Sequence, residues 1–139
     1  MGIVINSRDF NARQVGLLEP VIFCHPPAEV LDKAISLNKV LAERLIKIEP
    51  KRRSIRINSC LQETIDSLPN DAIVKDFDVL FNPIYEIDVL KSMIAVCKAK
   101  PFQIIWPGRF EDEKLIYGEE GYLDYKVFNI ADYDITIVK

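Results

Sequence analysis

The sequence predicts an α/β fold: a mostly parallel sheet flanked by helices in three layers, with short antiparallel strands at its C-terminal end. Three observations predict it. Short apolar runs of strand type recur at 21–24, 72–74, 102–106 and 135–138. Helix-length amphipathic stretches separate the early runs, long enough for the crossovers that parallel strands need. The last part instead carries short runs broken by turns. A length of 139 residues predicts one domain over 1–139. At 49% hydrophobic and 28% charged, the composition is that of a globular rather than a disordered chain.

Ser7 is placed to cap a short helix through 8–18, with Val15 and Leu18 on one side. VIFC (21–24) reads as a strand ended by His25-Pro26-Pro27. Pro27 suits a first helical turn, where its missing N–H would be unpaired anyway. Val30, Leu31, Ala34, Leu41, Leu45 and Ile48 then follow at helical spacing. One helix over 28–49, or two broken near Asn38, ends before Pro50. SIRIN (54–58) alternates and predicts a strand. Ser59 and Gln62 have capping-box spacing and open a helix carrying Leu61, Ile65 and Leu68.

Pro69-Asn70-Asp71 is a turn, and AIV (72–74) a buried-type strand. Ile87, Leu90, Met93, Ile94 and Cys97 mark an amphipathic helix over 86–98. FQIIW (102–106) is a strand stopped by Pro107-Gly108. LIY (115–117) and YKVF (125–128) are expected to pair across the Glu119–Gly121 turn, and ITIV (135–138) is a terminal strand in the antiparallel part.

Several chemistries are excluded or disfavoured. None of the five glycines precedes a Lys-Ser or Lys-Thr pair, so there is no recognisable phosphate loop of the P-loop type. The single histidine, His25, rules out a zinc site built from several histidines. Cys24, Cys60 and Cys97 are far apart and read as buried free thiols. The net charge of −3 gives no global attraction to nucleic acid. The opening MGIVINSRDF lacks the build of a secretory signal, and no apolar run reaches the ~18 residues of a membrane span. A cytoplasmic protein without a membrane partner is expected.

The sharpest chemical feature is AIVKDFDVLF (72–81). An apolar strand ending in an acid has the shape of a Walker B element, whose carboxylate holds Mg²⁺ directly or through water. Asp76 would be that acid, with Asp78 facing the same cleft; a solvated strand-end turn fits the pattern too. The complementary phosphate cradle is missing. At Cys24-His25-Pro26-Pro27-Ala28-Glu29 two prolines delete N–H donors and Glu29 adds negative charge. His25 has no nucleophile or orienting partner near it in sequence. Lys47, Lys51, Arg52, Arg53 and Arg56 place five cations within ten residues. They suit either a solvated helix end or a surface for DNA or an acidic protein.

LNKVLAERLIKI (37–48), KDFDVLFNP (75–83), IIWPGRFEDEKLIYGEEGYLDYKVF (104–128) and DYDITIV (132–138) resemble the small BrxF proteins of type 3 BREX phage-exclusion systems. The resemblance spans roughly residues 25 to 138 and is most specific in the Trp-Pro-Gly block. It implies a P-loop-NTPase-like fold serving anti-phage defence beside larger proteins. Asp76 matches the place of the family's Walker B acid and Asp78 that of the following acid. His25-Pro26-Pro27 departs from the pattern where a phosphate loop would stand.

The leading expectation is therefore a non-hydrolysing scaffold or regulatory subunit with no catalytic residue, cofactor or metal. Its partners would be other defence proteins or a second copy of itself. The first alternative is a divergent ATP-binding protein using Asp76 and Mg²⁺. The second is a DNA-binding accessory subunit using Lys51, Arg52, Arg53 and Arg56.

Overall fold

Strands buried on both faces are mostly apolar, and the central strands here are short apolar runs whose polar residues, Lys75, Gln103 and Thr136, stand at strand ends. The computed structural model describes residues 2–6 and 20–139. The helix expected over 8–18, with Ser7, Val15 and Leu18, lies outside them. Six parallel strands form the main sheet: β1 (Ile3–Ile5), β2 (Val21–Phe23), β3 (Ile35–Ser36), β4 (Ile73–Lys75), β5 (Gln103–Ile105) and β9 (Thr136–Val138). Their order is β1-β9-β2-β5-β4-β3. Ile22 lies opposite Ile104 on β5 and Ile137 on β9.

Strand alternation divides the core in two. Val21, Phe23, Ile105 and Val138 share one face, against which the short helix α1 (Ala28–Lys33) packs Val30 and its C-cap Ala34. Ile22, Val74, Ile104 and Ile137 share the other. There α2 (Asn38–Ile46), α3 (Arg53–Asp66) and α4 (Val89–Ala99) bury Leu41, Leu61, Ile65, Leu90 and Met93. Each such side chain contributes about 1.5–3 kcal/mol relative to exposure, so this second layer dominates the stability.

Residues 109–129 form a separate antiparallel sheet: β6 (Arg109–Glu111), β7 (Lys114–Tyr117) and β8 (Lys126–Asn129). The expected 115–117/125–128 pairing is present, with Ile116 opposite Val127. Asp112 and Glu113 both take left-handed backbone, as a two-residue turn between twisted strands requires. Trp106 Nε1 donates to Ile116 O at 3.0 Å and pins this sheet to the end of β5.

Four expectations are corrected. SIRIN (54–58) is helical, inside α3. A 3₁₀ turn over Pro50–Arg52 leads into that helix, so Ser59 and Gln62 lie within it rather than at its start. The stretch 28–49 is split earlier than Asn38. Ala34 is extended, and Ile35–Ser36 pair with Val74 and Lys75 at the sheet edge. The strand at 135–138 is parallel and lies between β1 and β2 rather than in the antiparallel end. β1 and β6 were not among the expected strands.

Candidate functional site

Ligands of open α/β sheets bind in the crevice beyond the carboxyl ends of the strands. Here that edge is formed by the turns after β2, β3, β4 and β5. At the end of β4 the backbone reverses at Asp76, whose φ is 49°. That reversal sends Phe77 into the core and leaves Asp76 exposed. Asp76 has no side-chain hydrogen bond or ion pair among the described residues.

Asp78, two residues on, opens a 3₁₀ turn (Asp78–Phe81). Its Oδ1 accepts from Asn38 Nδ2 at 3.2 Å, and its Oδ2 accepts from Tyr117 Oη at 2.9 Å. Asn38 Oδ1 in turn accepts from the Val79 amide at 3.0 Å. The Tyr117 ring stacks on Phe81 with centroids 3.7 Å apart and planes 4° from parallel. Phe81 meets Trp106 edge-on at 5.8 Å. Such aromatic pairs add about 0.5–1.5 kcal/mol each beyond burial. Burial, and then the Asp78 carboxylate, hold the Tyr117 hydroxyl above its ordinary range. Both oxygens of Asp78 are thus engaged by protein groups.

The turn after β2 is committed as well. The Cys24 amide donates to Val138 O at 3.0 Å. Pro26 and Pro27 have no N–H to offer. The Val30 and Leu31 amides both fold back on Pro27 O, at 3.0 and 3.1 Å. Glu29 lies in the first turn of α1, a helix of only six residues. This turn does not fit a triphosphate. His25 is exposed and has no side-chain partner among the described residues. Burial pushes the Cys24 thiol up to about 11, which disfavours the thiolate form that acts as nucleophile. No group of three or more His, Cys, Asp or Glu suited to a metal occurs among the described residues.

The basic segment occupies the corner between α2 and α3. Arg53 Nε donates to Leu45 O at 2.9 Å and Ile48 O at 3.0 Å, which adds to the Ile48 amide already on Leu45 O and satisfies the Ile48 carbonyl just past the end of α2. Arg52 pairs with Glu49 at 3.7 Å, both exposed. Lys51 and Arg56 are exposed, without a hydrogen-bond or ion-pair partner among the described residues. Three of the four residues assigned to nucleic acid therefore stand on the surface, and Arg53 is a structural cap.

No family model, curated protein or solved structure matches the chain. A groove of about 510 Å³ runs between α3 and α4 past Asn58, Gln62, Ile87 and Lys91. A second, of about 440 Å³, lies between Pro83, Glu86, Val127 and Tyr133. Neither is lined by Asp76 or Asp78. No helix among the described residues is long and apolar enough to cross a membrane.

Sequence reasoning missed Asn38 and Tyr117 as partners of Asp78. It also missed Tyr133, whose Oη donates to Asp88 Oδ2 at 2.7 Å. One signal was present for Asn38: it is a polar residue beside Leu37 in an otherwise apolar helical register.

Proposed function

We propose that this chain is a non-hydrolysing docking subunit with a P-loop-NTPase-like fold, acting in a cytoplasmic phage-defence complex of the BREX type. The observation that carries the non-hydrolysing part is the engagement of Asp78 by Asn38 and Tyr117. A carboxylate already accepting from two side chains is a structural clasp. Asp76 remains as one exposed acid, and the turn after β2 has prolines that offer no N–H and a Glu29 that repels phosphate. One carboxylate without a backbone cradle leaves a Mg²⁺–triphosphate mostly in water.

The P-loop-like part is supported by the sheet. β5 stands between β2 and β4, so the turn after β2 and the acid after β4 share one carboxyl-end crevice. The defence part is supported by the resemblance in the 104–128 block, whose Trp106, Tyr117 and Phe128 build the aromatic cluster beside Asp78. Docking itself needs only apolar surface that a partner can cover, and the corner around Ile55 offers it.

Calorimetry with ATP and Mg²⁺ is the test. No binding heat is expected. Submicromolar binding abolished by Asp76→Asn would establish instead the ATP-using reading, which the exposed Asp76 carboxylate favours. Neighbouring genes for a methyltransferase, a phosphatase-like protein and a large ATPase are expected from the defence part; an isolated gene counts against it.

A further inference from the structure

Two surface patches of opposite charge carry large apolar side chains left open by the described chain. The first is the corner between α2 and α3. Residues 46–56 hold Lys47, Lys51, Arg52, Arg53 and Arg56 against a single acid, Glu49. Ile46 and Ile55 are 73% and 81% exposed there. Ser54 Oγ donates to Ile84 O at 3.3 Å, which brings a third isoleucine, 71% exposed, to the same corner. Ile55 stands one turn beyond Lys51 and Arg52, the spacing at which helical side chains share a face.

The second patch is the loop 118–125 between β7 and β8. Glu119, Glu120 and Asp124 give it three carboxylates and no cation. Tyr122 and Leu123 project from it at 68% and 88% exposure. The loop has a defined shape. The Tyr122 amide donates to Glu119 O and the Tyr125 amide to Tyr122 O, each at 3.2 Å. Gly118 and Gly121 take the positive φ values of 73° and 96° that these turns require. A preorganised loop loses little conformational freedom on docking.

We infer that the chain associates with itself, the acidic loop 118–125 of one copy seated on the basic isoleucine corner of another. Leu123 and Tyr122 bury against Ile46, Ile55 and Ile84. Glu119, Glu120 and Asp124 lie opposite Lys47, Lys51, Arg52 and Arg56. Apolar anchors supply the affinity, and the opposed charges supply register and encounter rate. The isoleucines favour a protein occupant over a nucleic acid, because a phosphate backbone is bound by cations and gains nothing from branched apolar side chains. The patches are different surfaces. Each contact is therefore loop to corner, and two copies either exchange loops reciprocally or build a larger ring or chain. This deepens the docking reading and rests on it for its biological purpose.

Sedimentation velocity of the full chain across a concentration series, at low and high salt, tests the inference. The sedimentation coefficient is expected to rise with concentration, and the rise to shrink in high salt. Glu119→Lys with Glu120→Lys is expected to lose the rise, and so is Lys51→Glu with Arg52→Glu. All four side chains are exposed, so both variants keep the circular dichroism and Tm of the parent. An equimolar mixture of the two variants regains the rise, because the acidic loop of the Lys51/Arg52 variant meets the unaltered basic corner of the Glu119/Glu120 variant, and the basic loop of the latter meets the acidic corner of the former. A parent that sediments as a monomer throughout overturns the inference, as does a mixture that stays monomeric. Duplex DNA bound by a monomeric parent and released by the Lys51/Arg52 variant overturns it too. Nucleotide calorimetry reads separately: ATP binding would sink the docking reading without altering sedimentation.

Discussion

Tyr117 Oη donates to Asp78 Oδ2 at 2.9 Å across 39 residues of chain, tying the small antiparallel sheet to the turn that follows β4. The other oxygen of the same carboxylate holds Asn38, the first residue of α2. One aspartate thus clasps three elements. The two acids of the Walker-B-like segment are both exposed but differ accordingly: Asp78 is held by two side chains, and Asp76 by none among the described residues.

Asp78→Ala should destabilise the protein by about 0.5–2 kcal/mol, because it removes two hydrogen bonds to a carboxylate at a partly exposed site. Asp76→Asn should change stability by less than about 0.5 kcal/mol. Denaturant titration measures both. The reverse ranking would contradict the assignment of roles.

Alkaline pH should weaken the fold through two tyrosines. Burial, then hydrogen bonds to Asp78 and Asp88, hold the Tyr117 and Tyr133 hydroxyls above their ordinary range. An unfolded tyrosine releases its proton near about 10, while these two keep theirs. Their stabilisation is therefore complete below about pH 10 and is lost as pH rises beyond it. Cys24 adds a slope of the same sign, so the tyrosine part is read as the difference between parent and the Tyr117→Phe/Tyr133→Phe variant. Equal alkaline slopes in the two proteins would refute it.

Gly108→Ala should be strongly disruptive. A Cβ there would stand 1.9 Å from Ile116 O, the carbonyl that accepts from Trp106 Nε1. Backbone on one side and a buried indole on the other leave nothing soft to yield. Overpacking of this kind costs about 1–3 kcal/mol or more. Because Trp106 is the one tryptophan, its emission reports on the site directly. A lower Tm and a red shift are expected; parental values for both would show that the two sheets are not pinned there.

Arg53→Met should cost about 1–2 kcal/mol, because it removes the donor to Ile48 O and the second donor to Leu45 O, which keeps the Ile48 amide, while retaining the aliphatic stem. Lys51→Ala and Arg56→Ala should each stay within about 0.5 kcal/mol of the parent. Thermal denaturation of the three variants checks the ordering. If all three behave alike, Arg53 is not a cap.

Four of the six parallel strands were legible as strands because VIF, IVK, QII and TIV are largely buried and mostly apolar, with Lys75, Gln103 and Thr136 confined to strand ends. The 54–58 segment was misleading because its alternation has two readings. In a strand Ile55 and Ile57 would share one face. Here Ile57 is buried and Ile55 exposed, as residues two apart on a helix must be. The 35–36 strand left no pattern, since two residues cannot show a period; the edge of β4 recruited them. The partners of 135–138 were also invisible, because Ile3–Ile5 and Val21–Phe23 lie more than a hundred residues away. At the candidate site the acids were conspicuous, but their roles depended on Asn38 and Tyr117, which only the tertiary fold brings to Asp78.

The place of β9 has a consequence for biosynthesis. Ile3–Ile5 and Val21–Phe23 do not pair with each other; each pairs with Thr136–Val138, which fills the gap between them. A chain emerging amino end first must hold two sticky ribbons apart until that late wedge arrives. Closure of such distant pairings is slow. The nascent protein therefore waits with open strand edges, and a chaperone that shields them would set its yield in the cell.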